Sequence, residues 1–273
     1  MKNKKTSTAE NSRRQFLSNI SKAVLISSVT ALPGSMLSAS AFSKSTINKD
    51  GDDLKQIKEW IANKQKPLKW IFTGDSITQG AKHTLGYRSY PEIFSERIRF
   101  EMNRGRDIVI NTAISGNATT NILDDFEWRI AQFSPQVISL MIGTNDAAAI
   151  RNISINTFET NLRTLVQKFR QLHAIPILHT PNIISTSEKG NNERLALPQY
   201  VDIIRKVAHD CHVILVDHWK YWEDNREKVL DEKWRNDPLH PNGRGHLEMA
   251  RLLFKTLSIF DDSSFTCTGT INF

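Results

Sequence analysis

Leu68-Lys-Trp-Ile-Phe-Thr-Gly-Asp-Ser76 starts as a short apolar run and stops at a glycine. A run so short and apolar, with a sharp polar break, has the pattern of a strand covered on both faces. The first such run occupies 68–73, and others recur at 108–113, 137–142, 175–180 and 213–216. Helix-periodic stretches fall between them at 90–103, 120–132, 157–172 and 193–210, and a last helix is expected at 242–257. Strands alternating with helices specify a five-stranded parallel sheet with helices on both faces, one doubly wound α/β domain with right-handed crossovers. Ligands gather beyond the carboxyl ends of such strands, so the residues after each run carry the functional information.

The 273 residues suit one domain of moderate size, and 39% hydrophobic content is enough for a sizeable core. The formal net charge of +7 is unevenly placed. Residues 1–41 hold six basic side chains against Glu10 alone, a net +5, which leaves +2 for the remainder. That excludes a nucleic-acid or anionic-membrane partner as the default reading. The same first residues have the order of an export leader. A basic start leads into Ser12-Arg13-Arg14-Gln15-Phe16-Leu17, an apolar stretch to about Leu37 and the cleavage-like Ala39-Ser40-Ala41. The paired arginines resemble a twin-arginine (Tat) signal, so the Tat export machinery is an expected partner. Pro33 and Gly34 interrupt the apolar stretch, which falls short of the ~18 residues that span a bilayer. A cleaved leader at 1–41, no stable membrane insertion after cleavage, and a periplasmic or secreted location are therefore expected. Residues 42–66 read as a polar linker with a short helix at 53–63. The stretch 218–236 is longer than an ordinary connection, and such loops carry function or a helix of their own. Cys211 and Cys267 either pair in an oxidising compartment or stand as separate thiols; with no companion Cys or His cluster they do not have metal-site spacing.

Four polar clusters follow the strands or precede the last helix: Gly74-Asp75-Ser76, Ser115-Gly116-Asn117, Gly143-Thr144-Asn145-Asp146 and Asp237-Pro238-Leu239-His240. Ser76, at a strand end, suits a nucleophile activated by a base, and equally a turn serine or helix N-cap. Gly74 to Gly80 is not a phosphate loop, because five residues separate the glycines and Ala81-Lys82 follow. Asp237-x-x-His240 supplies an imidazole with an orienting carboxylate; a metal pair or a plain helix start is the alternative, and a metal lacks a third ligand nearby in sequence. Gly116 and Asn145 would add a backbone and a side-chain donor where negative charge develops.

With these four blocks in order, the sequence resembles the SGNH (GDSL-like) hydrolase family, from about Lys69 to Leu257. Gly74-Asp75-Ser76-Ile77-Thr78 matches the first block, Gly116 the second, Gly143-Thr144-Asn145-Asp146 the third, and Asp237 with His240 the fifth. The resemblance implies a flavodoxin-like three-layer α/β/α sandwich, with the hydrolase domain at 67–260 and a tail at 261–273. It implies Ser76, Asp237 and His240 as catalytic residues, an oxyanion hole of Ser76, Gly116 and Asn145, and no metal or organic cofactor. There is no Gly-x-Ser-x-Gly elbow, so the site is not that of an α/β-hydrolase. The expected activity is that of an exported serine esterase on a small-molecule or carbohydrate ester, O-acetyl groups above all. A periplasmic lysophospholipase or thioesterase, and a non-catalytic carbohydrate-binding protein, are the alternatives. Trp219, Trp222 and Trp234, just before Asp237, either stack on sugar rings or pack onto the core.

Overall fold

The computed structural model of the chain describes residues 50–186, 192–231 and 233–269. The leader expected at 1–41 lies outside the described residues. Helix α1 (Asp50–Ala62) precedes β1 (Lys69–Gly74), α2 (Ser76–Gln79) and α3 (Tyr90–Glu96). Next come β2 (Ile108–Asn111), α4 (Thr119–Asp124), α5 (Phe126–Arg129), β3 (Val137–Met141) and α6 (Ile155–Gln171). The chain continues through β4 (Ile175–His179), α7 (Leu197–Asp210), β5 (Ile214–Val216), α8 (His218–Asp224) and α9 (Arg226–Asp231). It ends with α10 (Gly243–Thr256) and α11 (Phe265–Thr268). The five strands pair in parallel in the order β2-β1-β3-β4-β5. That is the flavodoxin-like order, with its switch point between β1 and β3.

Period-two alternation divides the strand side chains between two layers of core. Trp70, Phe72, Val137, Met141, Ile175 and Ile177 join α1, α3 and α10 on one face. Ile71, Ile138, Leu140 and Leu178 join α4–α7 on the other. In α6, Phe158, Leu162, Leu165, Val166 and Phe169 form one buried stripe at helical spacing. Among the described residues no helix is long and apolar enough to cross a membrane.

Three expectations change in detail. The strand at β2 is not covered on both faces: it is the sheet edge, and Ile108 is half exposed. The helix expected at 90–103 ends in a wider π-helical turn, Arg97–Glu101. There Arg97 bonds the Ile259 carbonyl at 2.8 and 3.0 Å, and Glu101 accepts the Thr266 amide at 2.9 Å. The stretch 120–132 breaks at Asp125, whose backbone leaves the helical region, and this turns Arg129 inward. The long connection 218–236 carries helices of its own, as expected, α8 and α9. Cys211 and Cys267 are free thiols, so of the two readings the separate one is seen.

Candidate active site

The sharp turn after β1 rests on a glycine. Gly74 has φ +152°, and a Cβ there would lie 2.1 Å from the Met141 carbonyl oxygen of the neighbouring strand. Only a residue without a side chain allows β1 and β3 to stay paired while the chain turns. Asp75 then caps α2 by accepting the Ile77 amide at 3.0 Å. Burial, with the Asp146 carboxylate assisting and the Ile77 N–H opposing, pushes the Asp75 carboxyl up to about 7. Ser76 is the first residue of α2, where a backbone N–H has no carbonyl partner within the helix.

A second turn carries His240. Asp237 Oδ1 accepts the backbone amides of Leu239 and His240, both at 2.8 Å, so the carboxylate shapes the loop that carries the imidazole. His240 Nε2 lies 2.9 Å from Ser76 Oγ, and His240 Nδ1 lies 2.8 Å from Asp237 Oδ2. With Nδ1–H donating to the carboxylate, Nε2 is the acceptor that faces the hydroxyl. Burial holds the His240 pKa below its ordinary value against the pull of Asp237, and the nearby His83 and Arg194 add to the lowering. Burial would raise Asp237, but the amides of His240 and Leu239 and the His240 ring together keep it below the usual carboxylate range.

The two other residues expected at an oxyanion hole lie beyond two other strand ends. Gly116, φ +79°, follows β2, and its carbonyl accepts Arg151 Nη2 at 2.7 Å. Asn145 follows β3 and directs Nδ2 to the Asn117 carbonyl at 3.0 Å. Arg194 donates to the Asn145 Oδ1 at 3.4 Å and to the Thr144 carbonyl at 3.1 Å, which orients the amide from its oxygen end. Behind this loop the fully buried Arg129 ties the Thr112 and Gly74 carbonyls, at 2.9 and 3.2 Å, to the Asn117 side chain. One guanidinium thus joins the ends of β1 and β2 to the loop that carries Gly116 and Asn117.

Arg129, Arg194 and His83 are absent from the sequence reading. None belongs to a local pattern; each reaches the site across long sequence separations. His83 Nδ1 lies 3.1 Å from Asp237 Oδ2, and its ring stacks on His240 with centroids 3.5 Å apart and planes 7° from parallel. His83, Asp237 and His240 bring two imidazoles and a carboxylate within cation-binding distance of one another. The two rings, however, are stacked face to face in nearly parallel planes with centroids 3.5 Å apart, so no point is in plane with both rings at the ~2.1 Å of an imidazole–metal bond. As arranged, the trio is suited to sharing protons.

Of the two readings of the tryptophans, packing onto the core is the one seen for Trp222 and Trp234, and the possible substrate-binding role of these two is corrected. Trp222 and Trp234 are buried, packed edge to face at 5.4 Å, and present no face to a sugar; Trp219 is half-buried against the core. The apolar residues of α8 fill the space under α10 instead, and the aromatic signal in the sequence was a packing signal. A cavity of about 360 Å³ opens beside Asp237, lined by Val229, Leu230, Lys233, Arg235, Asn236 and Pro238.

The family model for GDSL-like Lipase/Acylhydrolase matches residues 72–247. An acetylxylan esterase of Geobacillus stearothermophilus is 24% identical over 69% of this chain and 93% of its own length. The crystal structure of Axe2, an acetylxylan esterase from the same organism, superposes with a TM-score of 0.59 at 23% identity, over 70% of this chain and 94% of that one. An uncharacterized lipoprotein, YqeF, of Bacillus subtilis is 29% identical over 58% of this chain and 74% of its own.

Proposed function

The chain belongs to the GDSL-like lipase/acylhydrolase family, and from that premise we propose that it is an exported serine esterase that removes O-acyl, chiefly acetyl, groups from a carbohydrate. The observation that carries the reading is the unbroken relay of 2.9 Å from Ser76 Oγ to His240 Nε2 and 2.8 Å from His240 Nδ1 to Asp237. Neutral His240 takes the hydroxyl proton as Ser76 attacks the ester carbonyl. The Ser76 and Gly116 amides and the Asn145 side chain hold the oxyanion. His240 then protonates the leaving alcohol, and water, deprotonated by the same ring, releases the acid from the acyl-serine.

The substrate class is supported by the cavity beside Asp237. Lys233, Arg235 and Asn236 line it with hydrogen-bond donors for hydroxyl groups. The acetylxylan esterase relative is in accord. Exposed Leu85, Ile150 and Leu195, within two residues of His83, Arg151 and Arg194, and exposed Leu230 of α9, which lines the cavity, favour a second reading, a longer acyl chain on a lysophospholipid or thioester. Export rests on the leader at 1–41 and on the lipoprotein relative. The domain limits proposed are a leader at 1–41, a linker and helix at 42–66, the hydrolase domain at 67–260 and a tail at 261–273.

The test is p-nitrophenyl acetate hydrolysis and fluorophosphonate labelling of the wild type and Ser76→Ala. The alanine variant is expected to lose labelling and to fall at least about 10³-fold in kcat; labelling that survives overturns Ser76 as nucleophile. Release of acetate from acetylated polysaccharides, with rates that fall along an acyl series from acetate to palmitate, is expected. Equal or faster hydrolysis of the long chains replaces the sugar ester with the lipid reading.

A further inference from the structure

We propose that His83 is a positioning residue of the reaction, a second imidazole on the carboxylate of Asp237 that holds the Asp237–His240 pair in register by one hydrogen bond and one stacked face. The inference rests on the Ser76–His240–Asp237 reading of the site.

Three features of the fold point the same way. Asp237 Oδ2 serves two rings at once, His240 Nδ1 at 2.8 Å and His83 Nδ1 at 3.1 Å. His83 therefore presents Nδ1–H to a carboxylate that already accepts two backbone amides and the His240 ring. The stacked face at 3.5 Å blocks rotation of the His240 ring about its χ angles on that side. Finally, the loop that delivers His83 is built at a conformational cost. Lys82 and Leu85, neither of them glycine, both have positive φ, at 70° and 55°. Left-handed backbone at such residues persists where the surroundings demand it, and it clusters at functional sites. Short bonds hold the loop shut: the His83 amide to the Ala81 carbonyl at 2.8 Å and the Tyr87 amide to the Thr84 carbonyl at 3.0 Å.

The arrangement has a proton consequence. The groups facing the two rings are Asp237 between them, Ser76 beyond His240, the buried His246 and the Arg194 guanidinium. Two imidazoles in face contact accept one added proton far more readily than two. During acyl transfer that proton belongs to His240. His83 thus helps to keep His240 unprotonated between turnovers, in the same direction as burial does. Removal of its ring exposes His240 and takes away a neighbouring imidazole that lowers its pKa, and both changes move the acid limb of the pH profile upward, towards 6.5.

The experiment compares p-nitrophenyl acetate kinetics of the full-length wild type with His83→Ala, His83→Phe, His83→Gln and Ser76→Ala from pH 4.5 to 9. His83→Ala is expected to lose about tenfold in plateau kcat with KM within about twofold, and its acid limb is expected to rise by about half a pH unit. His83→Phe keeps the stack and lacks the donor; His83→Gln keeps a donor without the ring. Each is expected to recover part of the plateau rate, with the acid limb of the phenylalanine variant still raised. If His83→Ala is poorly folded by circular dichroism, these two variants carry the comparison. A folded His83 variant with wild-type kcat and an unmoved acid limb overturns the inference, as does a rate loss confined to KM. If Ser76→Ala keeps its activity, the triad reading itself fails; if only the His83 variants are indistinguishable from wild type, the triad stands and the role of His83 falls.

Discussion

Asp75 shows how burial and capping compete at one residue. Its Oδ1 closes the first turn of α2, yet no solvent reaches the carboxyl, and its proton is held up to about 7. In the unfolded chain the same group ionises near 3.8. A raised folded value means that the folded chain binds the extra proton. The stabilisation is therefore full below 3.8 and is lost as pH rises towards 7, by up to about 1.4 kcal/mol per unit. Asp75→Asn keeps the capping oxygen and removes the ionisation. Urea unfolding is expected to show its stability relative to wild type rising from pH 4.5 to pH 8. A difference that stays flat across that range contradicts a raised Asp75. Gly116 illustrates the opposite case, a backbone requirement with space around it. The nearest atom to a new Cβ is Arg151 Nη2 at 3.6 Å, so Gly116→Ala pays only for its φ of +79°, about 1–2 kcal/mol.

At the scale of elements the turn from β1 into α2 is the least replaceable junction. Gly74→Ala sets a Cβ 2.1 Å from a backbone oxygen of β3, and no side chain can move aside to relieve it. The two central strands must part, or the turn must be rebuilt. We expect a loss of at least about 3 kcal/mol, measured by thermal unfolding, with soluble yield reduced; a melting temperature within 1 °C of wild type is the outcome that defeats this account. The strand pattern itself was legible because short apolar runs with polar stops have few other uses. The breaks within helices were not. Asp125 interrupts a periodic stretch so that Arg129 can reach carbonyls 17 and 55 residues back in the chain, at Thr112 and Gly74. Nothing local records that demand. The tryptophans of 219–234 left two readings open for a related reason, since an aromatic cluster reads alike whether it faces a ligand or a neighbouring helix.

The molecule as a whole carries a buried polar seam between the sheet and the layer of α3, α8 and α10. His179 meets Ser139 at 2.7 Å and His218 at 3.0 Å, and His246 Nδ1 accepts the Tyr90 amide at 3.2 Å. An accepting nitrogen carries no proton, and burial drives His218 and His246 down to about 3 and lowers His179 as well. All three are folded as neutral rings. In the unfolded chain they take up protons near 6.5, so the stability they confer is present above that pH. It is lost as pH falls towards 3, by about 1.4 kcal/mol per histidine per unit. One Asp75 of opposite sign does not offset three histidines. Denaturant unfolding is expected to give lower stability at pH 5 than at pH 7.5; equal stability at the two values argues against neutral buried rings.

The sequence alone determined the alternation of strands and helices, the parallel sheet, and the four blocks that hold Ser76, Gly116, Asn145 and the Asp237–His240 pair. These are local facts: apolar runs, turn residues and spacings within a few positions along the chain. Only the tertiary structure decided which side chains serve those blocks. His83 against Asp237, Arg194 on the Asn145 amide and Arg129 behind Asn117 join segments 12 to 154 residues apart. Hydrogen bonds and ring contacts act over about 3–4 Å in space, whereas residues so far apart in sequence come within that range only after the sheet has formed and its loops have closed over one edge.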